Sequence, residues 1–366
     1  MAIPGVQTAL VQTGAIFSGP GLPLTVSESV IIPELPTSHH VLVRVLAVAL
    51  NPTDHKMVTH FPVSGNQVGC DFCGIVEKTS QSSTSSFPVG TRVCGGTFPY
   101  SQTESQSGAF AQWISVDSRL ILKVPDSMDD FQGAALGGVG WGTAGLAFYD
   151  SEALDLKGSP SKPTTTNEPV LVYGGATASG TMACQLLKLS GYAPIAVTST
   201  ASAALAIKHG AVGIAIYTSP NCVQMIKEMA NGRPIRKVLD CITSGESAAH
   251  SFGAMARTGG RYVCLEELDK ALQTRRAIRT KEVMGYEGLG VRVDLGPTPY
   301  SRQANRELFD ITARVAAEMQ RAIDVGSLSP HPVREVPGKW EGIINGLSML
   351  QRGEVRGQKL VVRIAP

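Results

Sequence analysis

The segment with the clearest chemical meaning is residues 174–180, GGATASG, in which every side chain is small. It follows a short apolar run, residues 170–173, typical of a buried parallel strand, and it precedes a helical pattern. A small-residue turn between a strand and a helix lets the backbone approach a pyrophosphate, and the first helical turn offers N–H groups to that anion. The three glycine positions of G-x-G-x-x-G read Gly174, Ala176 and Ser179. The segment is therefore either a dinucleotide-binding turn or an ordinary connection between a strand and a helix.

Strand and helix patterns alternate on the C-terminal side of this turn. After the strand at 170–173 we expect further strands at residues 193–198, 214–217, 237–242 and 261–265, with helices between them. Five strands joined by helices predict an α/β fold with a doubly wound parallel sheet.

The N-terminal third is instead rich in strand and turn patterns. Strands are expected at residues 41–48, 74–78, 91–94 and 108–116, with a polar loop at 81–86 and a largely helical, glycine-interrupted segment at 126–149. A further strand pattern at residues 359–364 is expected to rejoin this region.

The proline- and threonine-rich segment at residues 159–169 is the expected domain boundary. Residues 1–165 and 300–366 are predicted to form one domain, and residues 166–299 the dinucleotide-binding domain.

Composition places the chain among ordinary soluble proteins. It has 366 residues, 43% of them hydrophobic and 17% charged, and a net charge of +2, which predicts neither nucleic-acid nor membrane-surface binding. No apolar run reaches membrane-spanning length, and no secretory signal pattern is seen at the N-terminus. The seven cysteines are scattered and odd in number, so we expect reduced thiols in a cytoplasmic protein.

Several ordered segments resemble the medium-chain dehydrogenase/reductase superfamily along nearly the whole chain. They are residues 45–57, 68–76, 89–95, 108–113 and 134–147, followed by the small-residue turn. Within that superfamily the chain resembles the trans-acting enoyl reductases that work beside fungal highly reducing polyketide synthases. The motifs that carry this closer resemblance are Asn51-Pro-Thr-Asp-x-Lys56, Trp141-Gly-Thr-Ala-Gly145, Tyr173-Gly-Gly-x-Thr-Ala178, Leu239-Asp-Cys-Ile-Thr243 and Gly353-Glu-x-x-Gly-x-Lys-Leu-Val-Val-Arg363. The resemblance implies a Rossmann-type sheet domain and a strand-rich, GroES-like catalytic domain.

Many members of that superfamily use catalytic zinc, which needs three ligands from Cys, His or carboxylate. This chain has Asn51 where the zinc enzymes carry a first cysteine ligand, and Gly69-Cys70-Asp71 where they carry Gly-His-Glu. Cys70 and Cys73 form a C-x-x-C without the second pair that a structural zinc lobe needs. His55 is expected to be a polar turn residue rather than a ligand. We therefore expect no metal.

The residues after the second strand of a dinucleotide-binding sheet decide which nicotinamide cofactor is bound. An enzyme for NADH places Asp or Glu there to accept hydrogen bonds from the ribose hydroxyls. Residues 198–202 read TSTAS, so no carboxylate would repel a 2′-phosphate, several hydroxyls could donate to it, and Lys208 could add charge. The same hydroxyls could instead cap the following helix. We predict NADPH.

The resemblance also implies which residues surround the cofactor. Cys264 and Leu265 have independent support, because they lie at the carboxyl end of a predicted strand, where ligands bind in such sheets. For Val355 and Arg356 the resemblance is the sole support. The implied cofactor-binding residues are Thr53, Asp54, His55, Lys56, Ala176, Thr177, Ala178, Ser179, Ser199, Thr200, Ala201, Ser202, Tyr217, Cys264, Leu265, Val355 and Arg356.

Enoyl reduction adds hydride to the β-carbon of an α,β-unsaturated thioester and a proton to the α-carbon. The protein must orient the reactants and stabilise charge on the thioester oxygen. Lys56 and Thr143 are the predicted catalytic residues, with Lys56 orienting the cofactor and acyl group or donating the proton. Lys56 could instead be a solvated cation, and Thr143 a helix-packing hydroxyl. One wall of the acyl-binding cleft is expected from Gly140, Trp141, Gly142, Thr143, Ala144, Gly145, Leu146 and Ala147.

The expected partner is the acyl carrier domain of a polyketide synthase, which is usually acidic. The densest basic cluster comprises Arg275, Arg276, Arg279 and Lys281, and it is either a docking surface or a solvated face.

Residues 282–294 are glycine-rich, which disfavours a long paired sheet edge between two copies, so a monomer is expected. Two other functions stay open: a zinc-free quinone or enone reductase, and a non-catalytic protein that binds a dinucleotide.

Overall fold

The computed structural model describes residues 3–14, 21–80, 87–103 and 105–365, so the loop predicted at 81–86 lies outside the described residues. The helices are α1 (Pro52–His60), α2 (Asp130–Leu136), α3 (Val139–Tyr149), α4 (Ala178–Leu189), α5 (Ala203–Lys208), α6 (Cys222–Met229), α7 (Gly245–Ala254), α8 (Arg306–Asp324) and α9 (Lys339–Gln351). Nowhere in these ranges is a helix both long enough and apolar enough to cross a bilayer. The strands are β1 (Val6–Gln12), β2 (Leu24–Ile31), β3 (His40–Ala49), β4 (Asp71–Thr79), β5 (Arg92–Gly96), β6 (Trp113–Asp117), β7 (Ile121–Lys123), β8 (Pro169–Tyr173), β9 (Ala193–Thr198), β10 (Gly213–Ile216), β11 (Lys237–Asp240), β12 (Gly260–Cys264), β13 (Ile278–Glu282), β14 (Val333–Glu335) and β15 (Lys359–Arg363).

The chain divides into two compact units. Unit 1 comprises Met1–Val139, Leu289–Ala316 and Pro330–Pro366, and unit 2 comprises Gly140–Gly288 and Ala317–Ser329. These units differ from the predicted domain limits at 165/166 and 299/300. The segment at 159–169 lies inside unit 2, where the Ser161 N–H and hydroxyl donate to the Glu318 carboxylate at 2.9 and 2.6 Å.

Unit 2 is built on a six-stranded parallel sheet with the order β10-β9-β8-β11-β12-β13. Numbered along the chain, this order is 3-2-1-4-5-6, which is the Rossmann arrangement and confirms the predicted doubly wound parallel sheet. The central strand β8 is buried along its whole length because helices cover both faces of such a sheet. Only five of the six strands were predicted. The sixth, β13, is an edge strand in which Ile278 is the one buried residue, so its sequence IRTKE lacks the usual apolar signal.

Unit 1 is built on a seven-stranded sheet in which six strands have the order β14-β15-β3-β4-β5-β7 and the seventh, β6, pairs with β3. The antiparallel pairing of β15 with β3 confirms that the last strand rejoins the N-terminal region. The segment around His55, predicted as a turn, is instead helix α1, whose first residue is Pro52, a position where proline costs no hydrogen bond. The helical pattern at 126–149 is split into α2 and α3 at Gly137, whose φ is +46°. The strand predicted at 108–116 is shorter, because β6 begins at Trp113.

Candidate active site

The small-residue turn of unit 2 lies at the carboxyl end of β8, where the strand order reverses between β8 and β11. Ligands of doubly wound sheets bind outside the carboxyl ends of the strands at this point. Gly174 has a φ of +74°, which favours glycine, and the Thr177 hydroxyl caps α4 by accepting from the Gly180 N–H at 3.0 Å. Residues 176–179, all predicted to bind the cofactor, are partly exposed, so a ligand can reach them.

Gly180 is the residue that lets α4 pack closely on the turn, a role that the sequence pattern had given to Ser179. A Cβ on Gly180 would overlap the carbonyl oxygen of Gly174, and a Cβ on Gly175 would overlap the Cβ of Ala196 on β9. The glycine requirement therefore falls on Gly174, Gly175 and Gly180. The sequence signal for this requirement is that a glycine, Gly180, directly follows the third glycine position of the G-x-G-x-x-G pattern.

The segment predicted to choose the cofactor follows β9. Thr198 is buried, and Ser199 precedes a 3-10 helix at Thr200–Ser202 in which Thr200 and Ala201 are exposed. The Ser199 hydroxyl donates to the Ser202 hydroxyl at 3.1 Å, and neither side chain caps a helix in the part of the chain that the structure describes. The helix-capping alternative therefore has no support from these hydroxyls.

Tyr217 and the 198–202 segment lie side by side at the carboxyl ends of β10 and β9. The Tyr217 N–H donates to the Thr198 carbonyl oxygen at 3.1 Å, and the Tyr217 side chain is partly exposed. The structure thus brings together these two parts of the predicted adenosine end of the site.

The turn after β11 is held by Asp240, a buried residue that the sequence reading did not single out. Its Oδ1 accepts from the N–H groups of Ile242 and Thr243, both at 2.9 Å, and its Oδ2 accepts from the Tyr262 hydroxyl at 2.6 Å. Burial raises the pKa of Tyr262 far above its usual range, and the Asp240 carboxylate adds to the shift. The Thr243 hydroxyl in turn accepts from the Leu265 N–H at 3.3 Å, so Leu265 is fixed to this turn.

Cys264, predicted to contact the cofactor, is fully buried in β12. Its thiol donates to the Lys281 carbonyl oxygen at 3.7 Å, and burial raises its pKa to about 12. The side chain of Cys264 therefore faces the protein interior, and the partly exposed Leu265 is the more accessible residue of the pair.

Thr143 lies in α3, where Trp141 and every residue after it as far as Phe148 are buried. The Thr143 side chain is 7% exposed, and a Cβ on Gly285 would overlap its hydroxyl oxygen. This close packing fits the helix-packing alternative, and the catalytic role of Thr143 stays a prediction. Of the predicted acyl-cleft wall, Gly140 alone is partly exposed.

In unit 1, α1 carries four of the predicted cofactor-binding residues, and they differ in exposure. Thr53, His55 and Lys56 are partly exposed, whereas Asp54 is completely buried. The Asp54 carboxylate accepts from the Tyr100 hydroxyl at 2.7 Å and from the Asn51 N–H at 2.8 Å. Burial raises the pKa of Asp54 to about 6, and these hydrogen bonds oppose that shift. The Asp54 side chain therefore holds the start of α1, and its predicted contact with the cofactor stays a prediction. His55 is a helical residue rather than a turn residue.

Asn51 and Asp71, which the resemblance aligns with a cysteine ligand and with the Glu of Gly-His-Glu in the zinc enzymes, both contact Lys359 in a buried ion pair. The Lys359 ammonium donates to Asp71 Oδ2 at 3.0 Å and also to Asn51 Oδ1, while Asn51 Nδ2 donates to Asp71 Oδ2 at 2.9 Å. Lys359 is 6% exposed and Asp71 is 1% exposed. The positive charge next to Asn51 and Asp71 is therefore the Lys359 ammonium. Lys359 lies in one of the motifs that carry the family resemblance, but no role was predicted for it.

The C-x-x-C of unit 1 consists of two buried free thiols. Burial raises the pKa of both Cys70 and Cys73, with nearby carboxylates adding to the shift. Such thiols are poor nucleophiles and poor metal ligands. Among the described residues, no group of three or more His, Cys, Asp or Glu side chains is placed to hold a metal ion.

Two residues of the predicted basic docking cluster, Arg275 and Lys281, form contacts inside unit 2. The Arg275 guanidinium donates to the carbonyl oxygens of Phe252 and Ala256 at 2.6 Å each, at the end of α7. Lys281 forms an ion pair with Glu152 at 3.2 Å.

In unit 1, the predicted cofactor-binding residues Val355 and Arg356 lie in the coil between α9 and β15, where Val355 is partly exposed and Arg356 is exposed.

Comparisons with known proteins agree with this architecture. The model of the alcohol dehydrogenase GroES-like domain matches residues 37–126. Trans-enoyl reductase calK of Penicillium decumbens is 55% identical over 367 residues, and trans-enoyl reductase sthE of Phaeosphaeria nodorum is 52% identical over 359 residues, with 98% of each chain covered in both cases. Among solved structures, CurK enoyl reductase superposes with a TM-score of 0.72 at 17% identity, covering 98% of this chain and 99% of that one. The last likeness supports the fold.

Proposed function

Because the chain belongs to the trans-enoyl reductases of the medium-chain dehydrogenase/reductase superfamily, we propose that it is an NADPH-dependent enoyl reductase that works without zinc. Its substrate is an α,β-unsaturated acyl thioester on the acyl carrier domain of a polyketide synthase or of a polyketide synthase–peptide synthetase hybrid. It acts in trans, as a monomer in the cytoplasm. Its seven free thiols are consistent with that compartment.

The observation that carries the metal-free part of the proposal is the Lys359–Asp71 ion pair with Asn51. Asn51 and Asp71 correspond by resemblance to a cysteine ligand and to the Glu of Gly-His-Glu in the zinc enzymes, and here both accept from the Lys359 ammonium. Activation of the thioester carbonyl must therefore come from hydrogen-bond donors, which can stabilise an enolate oxygen without a metal.

NADPH is supported by the segment after β9. It contains Ser199, Thr200 and Ser202 and no carboxylate, and Thr200 is exposed at the carboxyl edge of the sheet. The small-residue turn with α4 would hold the pyrophosphate, and Tyr217 would lie beside the 2′-phosphate. When bound, NADPH supplies the hydride that the β-carbon accepts.

The residues of the chain then have two tasks in the reaction. Lys56, partly exposed on α1, orients the acyl group with its ammonium and can donate the proton that the α-carbon needs. The Thr143 hydroxyl is the proposed second donor toward the thioester oxygen.

The test is consumption of NADPH by the purified protein with a soluble crotonyl thioester. We expect turnover that survives removal of metal by a chelator, with a kcat/KM for NADH at least about tenfold lower, equivalent to about 1.4 kcal/mol. Lys56→Ala should lower kcat at saturating thioester. Stoichiometric zinc that is lost together with activity would refute the metal-free mechanism.

The same assay separates the other two functions. Faster turnover of quinones than of the thioester would identify a quinone or enone reductase. Binding of NADPH, measured by calorimetry, without turnover of either substrate would identify a non-catalytic protein.

A further inference from the structure

The Asp71 carboxylate contacts the starts of two helices, one with each oxygen. Oδ2 accepts from Nδ2 of Asn51, the N-cap residue of α1, at 2.9 Å. Oδ1 accepts from the N–H groups of Gly138 and Val139 at 2.8 and 2.9 Å, where α3 begins. A carboxylate is favourable there because the first N–H groups of a helix have no partner within it and carry partial positive charge. One side chain thus anchors the N-terminal ends of both helices.

The two predicted catalytic residues lie at the same step along these helices. Lys56 is five positions after Asn51, and Thr143 is five positions after Gly138. Five positions are about 1.4 turns at about 3.6 residues per turn, so each side chain lies within the second turn from its anchor. The direction in which it leaves the helix therefore depends on how the first turn is held.

We propose that Asp71 is a positioning residue for both Lys56 and Thr143, and that Lys359 keeps its side chain in place. This inference rests on the proposed function. The contacts that support it are buried, since the exposed fraction of the side chain is 7% for Lys359 and 1% for Asp71. Buried charges persist in proteins when they are paired and hydrogen-bonded, as both are here.

The turn before α3 is shaped to fit this carboxylate. A Cβ on Gly137 would overlap the Asp71 carboxyl group, and the φ of Gly137 is +46°. The backbone therefore approaches Asp71 more closely than any other residue at position 137 would allow. A change at Asp71 should be felt first in the orientation of the first turn of α3.

The first test separates positioning from stability by measuring kcat and cofactor binding in the same variants. Asp71→Asn keeps the shape but places an amide N–H₂ against donors. We expect kcat at saturating crotonyl thioester to fall at least about tenfold, while the Kd of NADPH changes less than about twofold. Lys359→Met should behave similarly, and Lys359→Arg, which keeps the charge, should recover part of kcat. Lys78→Met, an exposed position on the same strand as Asp71, is the matched control and should be unchanged.

The second test asks whether Asp71 acts through the two predicted catalytic residues. In a Lys56→Ala/Thr143→Ala background, adding Asp71→Asn should lower kcat by less than about twofold, because residues that act as a unit are not additive. A further loss as large as in the wild-type background would overturn the proposal. So would a wild-type kcat in Asp71→Asn.

Failure of the proposed function can be told apart from failure of this inference. If the wild-type protein does not reduce the thioester, the proposed function fails, and the anchoring is read from amide hydrogen exchange instead. Faster exchange at Gly138 and Val139 in Asp71→Asn would support the anchoring, and unchanged protection would refute it.

Discussion

Asp54 should give the unfolding free energy a pH dependence opposite to that of most carboxylates. The side chain is completely buried, and burial raises its pKa from 3.8 to about 6. Hydrogen bonds from the Tyr100 hydroxyl, the Cys70 thiol and the Asn51 N–H stabilise the ionised form and limit the shift. The folded state therefore prefers a protonated Asp54 more strongly than the unfolded state does.

The sign and size of the effect follow from linkage. A raised pKa in the folded state contributes stability that is fully present below pH 3.8 and is lost as the pH rises through about 6. The full contribution is about 2.2 pKa units at about 1.36 kcal/mol each, or about 3 kcal/mol. Between about pH 7.5 and about pH 4.5, about 2 kcal/mol of it should be recovered.

The assay is urea unfolding of the wild type and of Asp54→Asn, followed by tryptophan fluorescence at several pH values. Because other carboxylates also titrate, the informative quantity is the difference in unfolding free energy between the two proteins. That difference should shift by about 2 kcal/mol in favour of the wild type from about pH 7.5 to about pH 4.5. Asp126→Asn, at an exposed position, is the control for loss of a carboxylate. A difference that stays constant with pH would refute the reasoning.

Three further outcomes are expected. Gly180→Ala should raise the Kd of NADPH at least about tenfold in calorimetry, because its Cβ would overlap the Gly174 carbonyl oxygen and shift the turn; unchanged binding would contradict the role of that close approach. Thr200→Glu should lower kcat/KM for NADPH at least about tenfold and leave NADH turnover nearly unchanged, because a carboxylate repels the 2′-phosphate; equal losses with both cofactors would contradict it. Arg275→Met should lower the unfolding free energy by about 2–3 kcal/mol, because two carbonyl oxygens at the end of α7 lose a charged donor, whereas the exposed Arg279→Met should be neutral.

The parallel sheet could be predicted well from the sequence because its central strands have clear local sequence patterns. β8 and β9 are short apolar runs bounded by turn residues, and their observed limits lie within one residue of the predicted ones. β13 could not be found in this way, because an edge strand needs only one buried side chain and its charged residues read as a surface cluster. α1 was read as a turn because Asn51 followed by Pro52 is compatible both with a turn and with a helix N-terminus.

Features of the candidate site that depend on neighbouring residues in the sequence could be predicted. Features that depend on contacts between residues far apart in the sequence could not. The small-residue turn and the hydroxyl-rich segment after β9 could be read directly. The requirement for Gly180 depends on how α4 packs against the Gly174 carbonyl, which no local pattern encodes. Lys359 is 288 positions from its partner Asp71, so the pair is visible only once β15 is placed beside β3.

The chemistry of the ammonium group supports our proposal that the Lys359 site positions other residues and does not itself activate the substrate. A catalytic zinc keeps one coordination position open for substrate, whereas a lysine ammonium has three N–H donors. Here Asn51 and Asp71 accept from Lys359, whose side chain is almost wholly buried, so most of its donor capacity is already used. We propose that the Lys359 ammonium holds Asp71, and through it the starts of α1 and α3. Under our proposal, the thioester is activated by donors farther along those helices, where Lys56 and Thr143 lie.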